Sequence, residues 1–107
     1  FVAAANTGMV SSDRDVVLLN SDTEVTANWI EKLSEAAHSA PRVATVTPLS
    51  NNATICSIPE FLEENLLPSG VSCDELGEIV EETSRRILPR LPTGVGVCLY
   101  IRREALD

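Results

Sequence analysis

Positive charge is scarce in this chain. Its 107 residues hold 8 Lys and Arg against 16 Asp and Glu, a net charge of -8. A nucleic-acid backbone needs a basic footprint, so it is excluded as the partner. A phosphorylated small molecule is not, because a divalent cation can bridge acidic side chains to phosphate. Long apolar runs are also absent, and none approaches the roughly 20 residues of a membrane helix. Cys56, Cys73 and Cys98 show no CxxC spacing, which argues against zinc. An odd thiol count without a secretory signal points to reduced cysteines and a cytoplasmic setting. The Asn52-Ala53-Thr54 sequon then reads as coincidence. There is no internal repeat and no low-complexity linker. Phe1 stands first, with no signal peptide, so the chain is expected to begin inside a longer protein.

What is present is globular. Hydrophobic residues make 44% of the chain and charged residues 22%, enough for one domain with a modest core. Residues 1 to 10 are small and apolar and read as a helix that packs closely on a sheet. Val16 to Asn20 is an uninterrupted strand, apolar on both faces, as expected of a central strand. Trp29, Ile30, Leu33, Ala36, Ala37 and Ala40 recur at helical period up to Pro41, with Thr26 or Asn28 as cap. Asn28 and Glu31 have capping-box spacing. Val43 to Thr47 is a second strand, and 48 to 59 a polar loop between prolines. Residues 60 to 88 form an acidic, helical insertion, in which Ser72 and Glu75 make a second capping box. Leu76, Ile79, Val80, Thr83 and Ile87 would share a face of that helix. Val95 to Ile101 is a third strand, and a helix begins after Arg102. The alternation of strands and helices predicts an α/β fold. Three strands make a thin sheet, which implies further strands elsewhere or from a second chain.

Asn20, Ser21, Asp22, Thr23 and Glu24 follow the first strand at once. Ligands of open α/β sheets bind beyond the carboxyl ends of strands. Alternate spacing in extended chain puts Asn20 and Asp22 on one side, able to face one Mg²⁺ or Mn²⁺. A plain turn is the competing reading and is favoured on pattern alone, since Asn, Ser and Asp readily bond nearby backbone. A calcium loop is rejected, because Val25 occupies the place of its glycine and a strand precedes it.

The blocks "NTGM...DRDVVLLNSDTEVTANWIEKL", "VATVTPLSNNATICSIP" and "LPTGVGVCLYIRREALD" together resemble the middle of a family 2 inverting glycosyltransferase of the GT-A fold. The resemblance covers nearly all of residues 1 to 107 as a single partial domain and is least distinctive over 60 to 88. It implies the central part of a Rossmann-like sheet flanked by helices. It implies transfer of a sugar from a nucleotide-diphosphate donor to the hydroxyl of a saccharide or lipid-linked acceptor. The D-x-D motif of that family falls on Asn20, Ser21 and Asp22. Asp22 is then the metal ligand for Mg²⁺ or Mn²⁺. Asn20 departs from the strict pattern and is a second metal candidate or a donor contact.

Asn6 lies where the family approaches the nucleotide. Gly94, Val95 and Gly96 resemble the loop beside donor sugar and acceptor, with a plain turn as the alternative. Ser50, Asn51 and Asn52 would line the acceptor side, with a capped loop as the alternative. His38, the sole histidine, is read as a helix-end residue. Arg102 and Arg103 are read as a solvated strand exit, with balancing of phosphate charge as the alternative. The general base that inverting transfer requires is expected beyond Asp107. The first nucleotide-binding strand is expected before Phe1. The piece alone is therefore expected to be inactive, and the intact enzyme to work in the cytoplasm or at the cytoplasmic face of a membrane. Two alternatives remain: a non-catalytic association module that dimerises through exposed sheet edges, and part of a nucleotidyltransferase.

Overall fold

The computed structural model describes residues 2 to 107 as a mixed α/β domain. Its elements are α1 (Val2–Val10), β1 (Val16–Leu19), α2 (Trp29–Ala37), β2 (Thr45–Val46), α3 (Cys73–Thr83), β3 (Cys98–Ile101) and α4 (Arg103–Leu106). A short 3-10 turn spans Thr54–Cys56. The sheet order is β1-β3-β2, and β3 is antiparallel to both neighbours. β1 and β2 thus run in the same direction, joined by α2, with β3 inserted between them as in a split βαβ unit.

This order corrects the expectation for Val16 to Leu19. β3 is the central strand, and β1 lies at an edge with its outer side unpaired among the described residues. The apolar run stays half-buried, and Leu19 is exposed. Cys98, Tyr100 and Ile101 are buried instead.

The register explains the core. Val17 pairs with Tyr100, and Val46 also pairs with Tyr100, so the three form one cross-strand row. α2 lays Leu33 and Ala37 on Cys98 and Tyr100, and Val17, Trp29, Val46 and Val97 pack around them. Alternation along the strands sends Val16, Leu18, Leu99 and Ile101 to the other face. α1 packs beside β1 without burying a residue. This core is small for a chain of this length.

The helix ends follow local chemistry. Ser72 caps α3 as expected: its Oγ accepts from the Glu75 N–H at 3.1 Å, and the Glu75 carboxylate lies 3.3 Å from the same hydroxyl. α3 stops at Thr83, so only Cys73–Thr83 of the 60–88 span is α-helical and Ile87 lies beyond the helix. Asn28 does not form the expected capping box. Its backbone is left-handed (φ 58°) and its side chain makes no cap bond, although its carbonyl accepts from Lys32 N–H at 3.0 Å.

Residues 50 to 65 are irregular but tightly knit. Asn65 is buried, and its amide nitrogen donates to the carbonyls of Asn51, Glu60 and Glu63 while its oxygen accepts from Glu60 N–H. No helical or strand periodicity marks this residue in the sequence, and it organises the whole loop.

Candidate functional site

The carboxyl ends of β1 and β2 and the amino end of β3 meet at one end of the sheet, as the antiparallel register requires. Asn20 leaves β1 there. Its N–H donates to Val97 O at 3.2 Å, tying the polar stretch to the segment before β3. Asn20 O then accepts from both the N–H and the hydroxyl of Thr23, at 3.3 and 2.7 Å. Residues 20 to 23 are therefore a closed turn with Ser21 and Asp22 at its tip. The turn replaces the extended spacing that was expected to set Asn20 and Asp22 on one side; its backbone bonds are satisfied internally, and the side chains of Asn20 and Asp22 stay exposed. Among the described residues neither side chain makes a hydrogen bond or ion pair.

Across from this turn, Val95 N–H donates to Thr47 Oγ1 at 3.1 Å, which pins the Gly94–Gly96 loop to the end of β2. A Cβ at Gly94 would overlap Leu99 Cδ1, so a larger residue there would push the Leu99 side chain aside. Gly96 faces open space. Asn20 and the Gly94–Gly96 loop are thus brought together. Asn6 is exposed on α1, and no hydrogen bond among the described residues joins it to the turn. Ser50 and Asn51 belong to the knitted loop. Ser50 N–H donates to Cys56 O at 3.1 Å, and the Asn51 amide donates to Asn65 O at 2.8 Å. Asn52 is exposed.

Among the described residues, no three His, Cys, Asp or Glu side chains are gathered to hold a metal ion. The donors on the turn are the Asp22 carboxylate and the Asn20 amide oxygen. Such hard oxygens suit Mg²⁺ or Mn²⁺, and one or two protein oxygens are the usual share when substrate phosphates supply the rest. The hollow between α2 and α3 is a different place. It encloses about 160 Å³ beside Thr26, Lys32, Asp74 and Glu78, below the roughly 300 Å³ at which small-molecule pockets begin. Lys32 and Glu81 close over it with a 2.9 Å ion pair.

The opposite end of the sheet holds a cluster that no motif announces. The Asp15 carboxylate accepts from Tyr100 Oη–H at 2.6 Å and from Arg103 N–H at 2.8 Å. His38 Nε2 lies 3.3 Å from the same carboxylate, and its Nδ1 lies 2.8 Å from Ser34 O. Each ring nitrogen thus faces an acceptor oxygen. The Tyr100 hydroxyl and the Arg103 amide hold the Asp15 carboxyl below its ordinary value, with His38 and Arg102 adding to the effect against burial. Burial and then the Asp15 carboxylate push the Tyr100 phenol up.

The arginines that follow β3 are not a solvated exit, which corrects the sequence reading. The side chains of Arg102 and Arg103 are 12% and 18% exposed. Arg102 donates to the carbonyls of Ala40 and Pro41, and Arg103 to those of Arg14 and Met9. Their guanidiniums tie the exit of β3 to the last turn of α1, to the turn before β1 and to the segment after α2. The three cysteines are free thiols, and burial is the main cause that raises each of them.

Compared with protein-family models, with curated proteins and with solved structures, the chain matches none.

Proposed function

We propose that this chain is the metal- and diphosphate-proximal part of a family 2, GT-A glycosyltransferase. One observation carries the reading. The Asn20–Thr23 turn uses its backbone to close itself and to grip Val97, which holds Asn20 next to the residue that follows the Gly94–Gly96 loop and leaves Asp22 exposed at the turn's tip. In this reading Asp22 is the protein ligand of Mg²⁺ or Mn²⁺, and Asn20 contacts the donor. The Gly94–Gly96 loop borders the donor sugar, where small residues let a substrate approach the backbone. The bound cation supplies charge stabilisation to the departing nucleoside diphosphate. The unpaired side of β1 and the small core support a larger parent sheet that continues beyond β1. The saccharide or lipid-linked acceptor and the general base belong to that larger site.

The test uses the protein at its full natural length. Calorimetry with Mn²⁺ and a uridine diphosphate sugar should show metal-dependent binding. Asp22→Ala should remove it and lower transfer roughly 100-fold, the scale of losing one charge-stabilising group. Unchanged metal-dependent transfer in Asp22→Ala would overturn the assignment.

The same unpaired β1 edge favours a second reading, an association module that forms a homodimer by strand pairing. Sedimentation of the full-length protein separates the two. A dimer that Val17→Pro dissolves, with no nucleotide-sugar binding, supports association over transfer.

A further inference from the structure

Charge is sharply segregated along the second half of the chain. Residues 60 to 82 carry only acids among their charged groups, whereas 83 to 103 carry only arginines: Arg85, Arg86, Arg90, Arg102 and Arg103. Arg102 and Arg103 are spent on backbone carbonyls. Arg85, Arg86 and Arg90 are not: among the described residues their guanidiniums make no hydrogen bond or ion pair. They sit in the stretch "SRRILPRLP", residues 84 to 92, which is exposed throughout and has no regular secondary structure. The apolar side chains between them are exposed too, with Ile87 at 69%, Leu88 at 59% and Leu91 at 44%.

We propose that residues 84 to 92 are a membrane-surface docking segment that engages an anionic bilayer. The argument is the pairing of two chemistries that a bilayer interface accepts together. Arginines at headgroup depth gain from anionic lipid, and the intervening Ile and Leu side chains leave water for the acyl boundary. A free phosphate or a soluble acidic peptide would engage the arginines and leave Ile87, Leu88 and Leu91 in water. Charge complementarity also fixes the direction. The chain as a whole is anionic, and this stretch concentrates three arginines without an ion pair among the described residues, although Arg86 lies near enough to Glu81 to help lower that carboxyl. Its attraction acts within a Debye length of about 8 Å. Docking is on the membrane and not through it, since no helix among the described residues is long and apolar enough to cross. The segment runs directly into Gly94–Gly96, so the candidate site would lie close to the lipid surface. The inference does not depend on the proposed glycosyl transfer, and its test contains no nucleotide sugar.

The experiment is vesicle co-sedimentation of the full-length protein, with phosphatidylcholine vesicles alone or mixed with phosphatidylglycerol. The protein should partition onto the mixed vesicles and not the neutral ones, and salt should release it. Replacing Arg85, Arg86 and Arg90 together with alanine should weaken partition about 100-fold, from three arginine contacts. Ile87→Ser with Leu88→Ser should weaken it about tenfold or more while retaining the salt dependence. All these side chains are exposed and outside the core, and circular dichroism confirms that each variant folds. Equal binding to neutral vesicles, full binding by the arginine variant, no vesicle binding at all, or binding to polyglutamate as tight as to vesicles would each overturn the proposal.

Discussion

The two ends of the sheet use the same kinds of polar residue in opposite ways. At one end, Asp15 gives its carboxylate to Tyr100, Arg103 and His38, and the neighbouring arginines cap four carbonyls. At the other end, Asn20 and Asp22 satisfy the backbone through a turn and leave their side chains exposed. An acid whose every partner is protein is a structural acid. An acid held in place by its backbone alone, with its carboxylate open, can bind something else. The contrast separates Asp15 from Asp22, although both flank the same strand by a few residues.

Substitution tests that contrast most strongly at Asp15. Asp15→Ala removes the shared acceptor of Tyr100, Arg103 and His38 and should cost roughly 3 kcal/mol in chemical denaturation, because bonds to a charged group are worth about 1.5–3 kcal/mol each and do not add. Asn65→Ala should follow at about 2 kcal/mol. It strands the Glu60 N–H and three carbonyls inside a loop with no regular pairing. A smaller loss than 1 kcal/mol there would mean that water replaces the amide at no cost.

Acid should reproduce part of the Asp15 effect. The folded carboxyl lies below its ordinary 3.8, so the unfolded chain takes up the proton first. The Asp15 contribution is therefore complete above the unfolded value and declines as pH falls through it toward the folded one. At the alkaline end the raised Tyr100 phenol works the other way: above its ordinary 10.0 the unfolded chain loses the proton first, and stability falls as pH rises. Tyr100→Phe should flatten the alkaline decline, and Asp15→Asn the acid one. The smallest effect should come from Asp22→Ala, which should change stability by less than about 0.5 kcal/mol. A large destabilisation from Asp22→Ala would erase the distinction between the two ends.

Much of the local structure was legible. Ser72 and Glu75 announce the start of α3 because a cap is made within four residues. Trp29, Leu33 and Ala37 announce α2 because one face must be apolar to meet a sheet. The polar burst after Leu19 announces a turn, and a turn forms there with Asn20 and Asp22 exposed. Asn28 stands at the N-cap of α2 as expected, but the capping box does not form, because its backbone adopts the left-handed region, which spacing does not reveal. Asn65 was invisible because a buried side chain that bonds three carbonyls follows no period.

By itself the sequence determined the alternation of strand and helix, the exposed turn at Asn20 to Asp22 and the split between an acidic 60–82 and a basic 83–103. These rest on propensity, capping and charge, which act over a few residues. Only the tertiary structure decided that β3, the last strand in chain order, lies in the middle and antiparallel to both partners. It likewise decided that Tyr100 reaches Asp15 across 85 positions and that Arg102 and Arg103 turn inward. The reason is that an uninterrupted apolar strand can be paired on either side. Which neighbour takes that side is settled by the packing of distant residues beneath α2, not by the strand's own pattern.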